Sequence, residues 1–249
     1  MNPVFTHPIL LIRGTGNDRD ANALESLGIP TLIDSFTEIT PGNLQAAQEL
    51  LDLAQNNNCW IIITSLNAID FWSSLVGPQS LRQIFSSHPL IKFAAVGTGS
   101  ADALKALGVN NILTPEVQSS SELLKLLAKV PVSRAIIPAG NLAMPVLPQG
   151  LKAMGWDIDT RVVYINTIVA TIPKSIQALN RGEIAAVLLR SPSAARALAH
   201  FAPRSQTPII CGGQTTAKAA NELGFKVLAV AQDPSPTAVA DLILQTLEE

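Results

Sequence analysis

The amino-acid sequence predicts an α/β protein made of two related domains, each with a parallel sheet. Three observations support this prediction. Short apolar runs typical of strands buried on both faces recur along the chain, segments with helical spacing separate them, and the second half repeats features of the first. Because strands and helices alternate, right-handed crossover connections within parallel sheets are expected.

Apolar runs rich in valine and isoleucine predict nine strands. They lie at residues 9–12, 31–36, 60–63, 93–96, 135–137, 162–165, 186–189, 208–211 and 227–230. Between these runs, leucine and isoleucine residues with the spacing of one helix face predict helices, most clearly at 44–53, 123–127 and 239–247.

An internal repeat relates the two halves of the chain. The segment 97–101, Gly-Thr-Gly-Ser-Ala, corresponds to 213–217, Gly-Gln-Thr-Thr-Ala. In the same way, 63–68 and 189–194 each read as a strand that ends near a serine and turns into a helix. The period exceeds 100 residues, which indicates two related domains and not a solenoid.

The repeat permits two domain layouts. If each half folds alone, the boundary falls near 128–133, but Pro41 and Pro173 interrupt the repeat at equivalent points. In a crossed layout, residues 1–36 and 168–249 form the first lobe, residues 37–167 form the second, and linkers lie near 35–40 and 166–171. Two connections would leave a hinge and a cleft between the lobes, where ligands commonly bind.

Composition excludes several classes of function. Seventeen Lys and Arg residues against nineteen Asp and Glu give a net charge of −2, and the scattered arginines form no basic stripe for nucleic acid. No window approaches the ~18 apolar residues of a membrane span, and the first residues lack a signal-peptide pattern. Cys59 and Cys211 are far apart in apolar stretches and the histidines are dispersed, so we expect buried thiols and no metal site.

The predicted turns from strand to helix carry small hydroxyl residues. In parallel sheets these turns lie at the carboxyl ends of the strands, where helix N-termini present unpaired N–H groups and ligands bind. Each set of hydroxyls alone is explained by N-capping. Six such sets with nearby glycines favour a multivalent anion site without lysines. They are Thr64, Ser65 and Asn67; Thr98 and Ser100; 119–121; Ser191 and Ser193; Thr215 and Thr216; Ser235 and Thr237.

Two further residues stand at strand ends. Arg13 follows the first strand, where a buried guanidinium needs either an internal carboxylate or an anionic ligand. Tyr164 is the only tyrosine and ends the strand before the second predicted linker. Packing explains an isolated aromatic residue at a strand end as readily as chemistry does.

A competing interpretation is a dinucleotide site. Gly14-Thr-Gly16 after the first strand, with Asp34 about 20 positions later, partly matches the Rossmann fingerprint. Arg19 occupies the position of the third glycine, where a side chain obstructs helix-to-strand packing. The sequence therefore gives little support to NAD binding, and it has no P-loop, nucleophile elbow or zinc-protease motif.

The order and spacing of these motifs resemble the uroporphyrinogen-III synthase family over nearly the whole chain. The motifs are Arg13 after the first strand, Thr64-Ser65-Leu-Asn67-Ala68, Gly97-Thr-Gly-Ser100-Ala101, Val-Val-Tyr164, Ser191-Pro-Ser193-Ala194, Gly213-Gln-Thr215-Thr216-Ala217 and Pro236-Thr237. The chain departs from the family where it has Gly14 in place of proline, Ser100 in place of threonine and Arg190 in place of an aromatic or aliphatic residue. It also lacks an arginine at 139–141.

The resemblance implies two flavodoxin-like lobes joined by a two-stranded linker, the crossed layout, and an active site in the interlobe cleft. It implies a cyclising lyase of tetrapyrrole biosynthesis that needs no cofactor or metal. Its substrate, hydroxymethylbilane, is a linear tetrapyrrole with eight carboxylates, which is closed to a macrocycle with ring D inverted and water lost. The main task of such an enzyme is to orient the substrate, because unassisted closure gives the isomer without inversion of ring D.

By position, the resemblance implies that Tyr164 is the general acid that assists loss of the hydroxyl, since a phenol is protonated at neutral pH. We expect the substrate-binding residues to be Arg13, Thr64, Ser65, Asn67, Gly97, Ser100, Ser191, Ser193, Gly213, Thr215 and Thr216. We further expect a cytoplasmic monomer that contacts hydroxymethylbilane synthase transiently and binds neither nucleic acid nor a membrane. The alternative function is a two-lobed sensor of small anions without catalysis.

Overall fold

The computed structural model describes residues 5–55 and 58–248. The chain divides into two compact units. Unit 1 comprises the chain up to Ile39 together with the chain from Thr167 onward, and unit 2 comprises Thr40–Asn166. The chain passes between the units in the strands β3 and β8, whose bounds follow.

Strands and helices alternate along nearly the whole described chain. The strands are β1 (Ile9–Leu11), β2 (Thr31–Ile33), β3 (Thr37–Pro41), β4 (Cys59–Ile63), β5 (Lys92–Ala95), β6 (Ile112–Leu113), β7 (Arg134–Gly140), β8 (Asp157–Ile168), β9 (Ala186–Leu189), β10 (Ile209–Cys211) and β11 (Val227–Val230). The helices are α1 (Asn17–Ser26), α2 (Leu44–Gln55), α3 (Leu66–Val76), α4 (Pro78–Ser87), α5 (Thr98–Ala106), α6 (Ser120–Leu127), α7 (Val146–Ala153), α8 (Ser175–Arg181), α9 (Pro192–Phe201), α10 (Gln214–Glu222) and α11 (Pro236–Glu248).

Unit 1 contains a parallel five-stranded sheet in the order β2-β1-β9-β10-β11. Numbered along the chain within the unit, this is the flavodoxin-like order 2-1-3-4-5. Alternate residues of β1 enter two different cores: Leu10 packs with α8, α9 and α10, and Ile9 and Leu11 pack with α1 and α11. The strand is buried on both faces, which explains its continuous apolar sequence.

Unit 2 contains the sheet β3-β8-β7-β4-β5-β6, in which all neighbours from β8 to β6 pair in parallel. If its strands are numbered from β7, the order β8-β7-β4-β5-β6 is again 2-1-3-4-5. Unit 2 is therefore a circular permutation of the same topology, which accounts for the internal repeat. Ile61 and Ile63 of β4 face one core, whereas Trp60 and Ile62 face the other.

Glycines that match in the repeat end equivalent helices. After each of α1, α5, α7 and α10, a glycine with positive φ is followed by a residue whose N–H bonds to a carbonyl five positions earlier. This is a Schellman motif, which glycine favours because it has no Cβ. The glycines are Gly28, Gly108, Gly155 and Gly224.

The structure confirms the predicted α/β class with parallel sheets, and each of the nine predicted strands overlaps an observed one. The predicted strand 31–36 is too long, because β2 ends at Ile33. β3 overlaps the first linker strand of the crossed layout, expected near 35–40, whereas β6 was not predicted. Cys59 and Cys211 are free and buried, as expected. No described helix is long and apolar enough to cross a membrane.

Candidate functional site

The order 2-1-3-4-5 creates a switch point in each sheet, where neighbouring strands connect in opposite directions. Ligands of doubly wound sheets bind beyond the carboxyl ends of the strands at such points. The unit-1 switch point lies between β1 and β9, and the unit-2 switch point lies between β7 and β4. Several of the candidate residues lie at these two places.

Tyr164 lies at the unit-2 switch point. Its hydroxyl donates a 3.5 Å hydrogen bond to Oγ of Ser65, the N-cap residue of α3 in the turn after β4. Its ring stacks on Phe71 of α3 with a centroid separation of 5.8 Å and an interplanar angle of 24°. The side chain is half-buried, so packing fixes the ring and the phenol oxygen contacts the hydroxyl of Ser65.

Gly140 provides the space that the tyrosine ring occupies. A Cβ on Gly140 would lie 2.3 Å from Cζ of Tyr164 and 2.7 Å from its hydroxyl oxygen. The two residues are paired in the β7–β8 register, at a bulge in the ladder. The ring therefore crosses the end of β7 at a place where only a glycine leaves room for it.

Asn141 fixes the backbone around the tyrosine. Its N–H donates to the carbonyl oxygen of Tyr164 at 3.2 Å. Its side chain donates to the carbonyl oxygen of Asn166 at 3.1 Å and accepts from the N–H of the same residue at 2.8 Å. These bonds hold the backbone of β8 at Tyr164 and two residues after it.

The helix N-termini differ in how their N–H groups are satisfied. Ser191 caps α9, since its Oγ accepts from the N–H of Ala194 at 3.2 Å. In contrast, the residues at the N-cap positions of α3, α5 and α10 make no side-chain capping bond; they are Ser65, Gly97 and Gly213. At α5 the side chain of Gln118 accepts from the N–H of Thr98 instead, at 3.2 Å.

The other predicted binding residues lie on the same turns with different exposure. Thr64 and Asn67 are half-buried beside Ser65 in unit 2, and Ser100 is buried in the first turn of α5. In unit 1, Ser193 is half-buried and bonded to Ser191 at 2.9 Å between hydroxyl oxygens. Thr215 is exposed on α10, whereas Thr216 beside it is buried.

Arg13 lies at the unit-1 switch point beside the buried carboxylate of Asp20, on α1. Burial lowers the pKa of Arg13, and the charge of Asp20 opposes that shift. Nε of Arg190, which follows β9, lies 3.4 Å from Oδ2 of Asp20. Burial raises the pKa of Asp20, and the two arginines counteract this effect.

The residues of the dinucleotide interpretation have other roles. Gly16 is the left-handed N-cap residue of α1, and the carboxylate of Asp34 accepts the N–H of Ser175 at 2.7 Å. That carboxylate is thus occupied by the start of α8. Among the described residues, no group of His, Cys, Asp and Glu side chains has the arrangement of a metal site.

Sequence reasoning did not identify Phe71, Gln118 or Asp20 as site residues. Phe71 has the pattern of a core residue, Asp20 that of a first-turn acid, and Gln118 that of a loop residue. Their roles arise from contacts with residues distant in sequence, so no local signal distinguishes them. Arg190 was noted only as a departure from a family pattern.

Comparisons with known proteins give one consistent family. The family model of uroporphyrinogen-III synthase HemD matches residues 18–241. A mutant uroporphyrinogen III synthase from Thermus thermophilus aligns with 18% identity and a TM-score of 0.65, covering 96% of this chain and 99% of that one. Uroporphyrinogen-III synthetase from Helicobacter pylori aligns with 20% identity and a TM-score of 0.61, with the same coverages. At these identities the structures show a shared fold. A search of curated proteins gave no match.

Proposed function

This chain belongs to the uroporphyrinogen-III synthase family, and we propose that Tyr164 and the open helix N-termini of its two units carry out the family's reaction. The chain is accordingly a cyclising lyase of tetrapyrrole biosynthesis that acts on a small molecule. The observation that carries the proposal is the phenol of Tyr164, packed against Phe71 and within reach of Ser65 at the unit-2 switch point.

In the proposed reaction, the substrate is hydroxymethylbilane and Tyr164 gives its phenolic proton to the terminal hydroxyl. The C–O bond breaks with its electron pair on oxygen, water leaves, and the pyrrole nitrogen stabilises the resulting azafulvene cation. The substituted α-carbon of ring D attacks this cation and gives a spiro intermediate. The bond from that carbon to its original bridge carbon then breaks, and the bridge carbon bonds to the free α-carbon of ring D, which inverts the ring. The proton released when the macrocycle regains its pyrroles balances the proton that was donated.

Ser65 supports this role by its position. Its hydroxyl is not used to cap α3 and is within 3.5 Å of the phenol oxygen. A hydroxyl can accept from the phenol before proton transfer and donate to the phenolate afterwards. It would therefore keep the oxygen oriented through the reaction.

The carboxylates of the substrate would bind main-chain N–H groups at the N-termini of α3 and α10. Ser65 makes no side-chain capping bond at α3, and Gly213 has no side chain that could cap α10. The first N–H groups of a helix attract anions through both hydrogen bonding and the helix dipole. This mode of binding suits a protein of net charge −2, since it needs few basic side chains. Thr64, Asn67, Thr215 and Thr216 stand on these two turns, and the proposed binding set also includes Gly97 and Ser100 at α5 and Ser191 and Ser193 at α9.

We also propose that the protein acts as a monomer in the cytoplasm and receives its unstable substrate through transient contact with hydroxymethylbilane synthase. Gel filtration of the pure protein tests the oligomeric state, and gel filtration together with that synthase tests the contact between the two proteins.

The decisive experiment supplies freshly generated hydroxymethylbilane and separates the oxidised porphyrin isomers. The proposal predicts the type III isomer; unchanged production of type I would contradict it and would favour the anion sensor. Tyr164→Phe should lower turnover about 10- to 100-fold, which is at or below the lower end of what general acid catalysis contributes, because this leaving group departs readily. If the wild-type protein forms the type III isomer and Tyr164→Phe has the same turnover, the proposed function holds but Tyr164 is not its general acid.

A further inference from the structure

Two arginines occupy neighbouring positions at the unit-1 switch point. β1 and β9 pair in parallel with Leu11 opposite Leu188, and two residues further along Arg13 comes level with Arg190. Arg190 and Arg19 both act on Arg13 as like charges. Like charges on neighbouring strands destabilise a fold unless a counter-charge lies between them.

Asp20 is the carboxylate that acts on both Arg13 and Arg190. It is only 3% exposed, and its Oδ2 lies 3.4 Å from Nε of Arg190. Burial raises the pKa of Asp20, and Arg190 opposes that rise more strongly than Arg13 does. Arg190 is therefore the main partner of this carboxylate.

Arg190 is held in place by further contacts. Its Nη2 donates to the carbonyl oxygen of Pro234, and its side chain is 12% exposed. Its Nη1 would lie 2.9 Å from a Cβ on Gly212, so the guanidinium packs directly on the backbone at the end of β10. These contacts keep Arg190 on Asp20 and away from solvent.

Arg13 has no such set of partners. Across residues 5–55 and 58–248, no oxygen accepts a hydrogen bond from its half-buried guanidinium, which lies against Gly16 with Cζ 3.3 Å from the place of a Cβ. A half-buried cation without an acceptor is costly. A carboxylate that binds the guanidinium with both oxygens removes that cost.

We propose that Arg190 is a positioning residue, which holds Asp20 and thereby leaves Arg13 free to bind a carboxylate of the substrate. The inference rests on the proposed function and adds to it a residue that need not touch the substrate. Without Arg190, the buried carboxylate of Asp20 has only Arg13 as a strong partner. Asp20 then competes with the substrate for the same guanidinium.

Four variants test this arrangement: Arg190→Met, Arg190→Lys, Asp20→Asn and the double variant Asp20→Asn/Arg190→Met. Three quantities are measured for each: KM and kcat with hydroxymethylbilane, and the Kd of uroporphyrin, an octacarboxylate, by fluorescence. Arg181→Met is the matched control, because Arg181 pairs with Glu183 on the exposed end of α8.

Arg190→Met should raise KM and the uroporphyrin Kd about tenfold, the scale of one charged hydrogen bond, with kcat changed less than about twofold. Arg190→Lys keeps a charge for Asp20 and should stay close to the wild type. The double variant removes the competitor of the substrate and should restore both constants to within about twofold of the wild type. Rescue by a second substitution excludes misfolding as the cause.

A double variant as weak as Arg190→Met would overturn the proposal, as would wild-type binding in Arg190→Met itself. The uroporphyrin measurement separates this failure from failure of the proposed function. If the wild type forms no type III isomer, the proposed function is wrong, yet the order of the uroporphyrin constants still tests Arg190.

Discussion

Replacing Gly140 by alanine should displace the candidate catalytic tyrosine without altering its chemistry. The new methyl carbon would lie 2.3 Å from Cζ of Tyr164. Carbon atoms in contact are about 3.5–4.0 Å apart, so the ring must move by at least about 1.2 Å. Phe71 on the ring face and the hydrogen bonds of Asn141 to the neighbouring backbone oppose that movement.

The cost of this displacement should be visible in both stability and turnover. Overpacking of this kind lowers the free energy of unfolding by about 1–3 kcal/mol. A shift of about 1 Å in a catalytic group reduces turnover on the order of 100-fold, which would make Gly140→Ala at least as severe as Tyr164→Phe. Urea unfolding and steady-state formation of the type III isomer measure the two effects.

A double-mutant cycle with Tyr164→Ala isolates the contact. Once the ring is absent, Gly140→Ala should cost less than about 0.5 kcal/mol. Gly99→Ala in α5 is the control for the glycine substitution itself. Its Cβ would lie 4.0 Å from the side chain of Leu66 in α3, which is an ordinary van der Waals contact. An equal cost of Gly140→Ala with and without the ring would refute the steric argument, and wild-type turnover in the single variant would refute its link to catalysis.

Three further predictions concern the turns and the buried thiols. Ser191→Ala should lower the free energy of unfolding by about 1 kcal/mol through loss of the α9 cap, whereas Ser65→Ala should leave stability unchanged and reduce turnover; equal stability losses would contradict the distinction. Gly14→Ala should lower the free energy of unfolding by about 1–3 kcal/mol, because its Cβ would lie 2.7 Å from a main-chain oxygen of β3. An unchanged midpoint of urea unfolding would show that β3 can move away from the new methyl group without loss of stability. Burial raises the pKa of Cys59 and Cys211 from 9.0 to about 11, so thiol reagents should label native protein at pH 8 far more slowly than unfolded protein. Between about pH 9 and pH 11 the unfolded state therefore binds fewer protons than the native state, and the free energy of unfolding should fall as the pH rises through this range. Fast labelling of the native protein at pH 8 would contradict both expectations.

The fold was largely predictable because its signals are local or repeated. Strands buried on both faces, such as β4 and β9, are continuous apolar runs, and a glycine recurs after each pair of equivalent helices. β6 has only two residues, which is too short for any periodicity. β3 contains Glu38 and ends at Pro41, so its composition resembles that of a turn.

The candidate site was predictable only where a residue type is unusual for its place. An arginine at the end of a buried strand and a single tyrosine are conspicuous, which is why Arg13 and Tyr164 could be selected. Asp20 could not, because a first-turn aspartate is a common helix residue. Its importance comes from Arg190, which lies 170 positions away in sequence but has its Nε 3.4 Å from Oδ2 of Asp20.

The two matching serines show how duplicated turns acquire different roles. Ser65 and Ser191 occupy equivalent N-cap positions after β4 and β9, yet only Ser191 bonds to its own helix. In unit 2 the hydroxyl of Ser65 instead accepts from Tyr164, so the N-terminus of α3 stays open to an anion while the phenol is oriented. In unit 1 the residue before the serine is Arg190, which supplies charge. The same strand-to-helix turn therefore orients a phenol in one unit and caps its own helix in the other, and our proposal assigns proton transfer to the first and, through Arg13, carboxylate binding to the second.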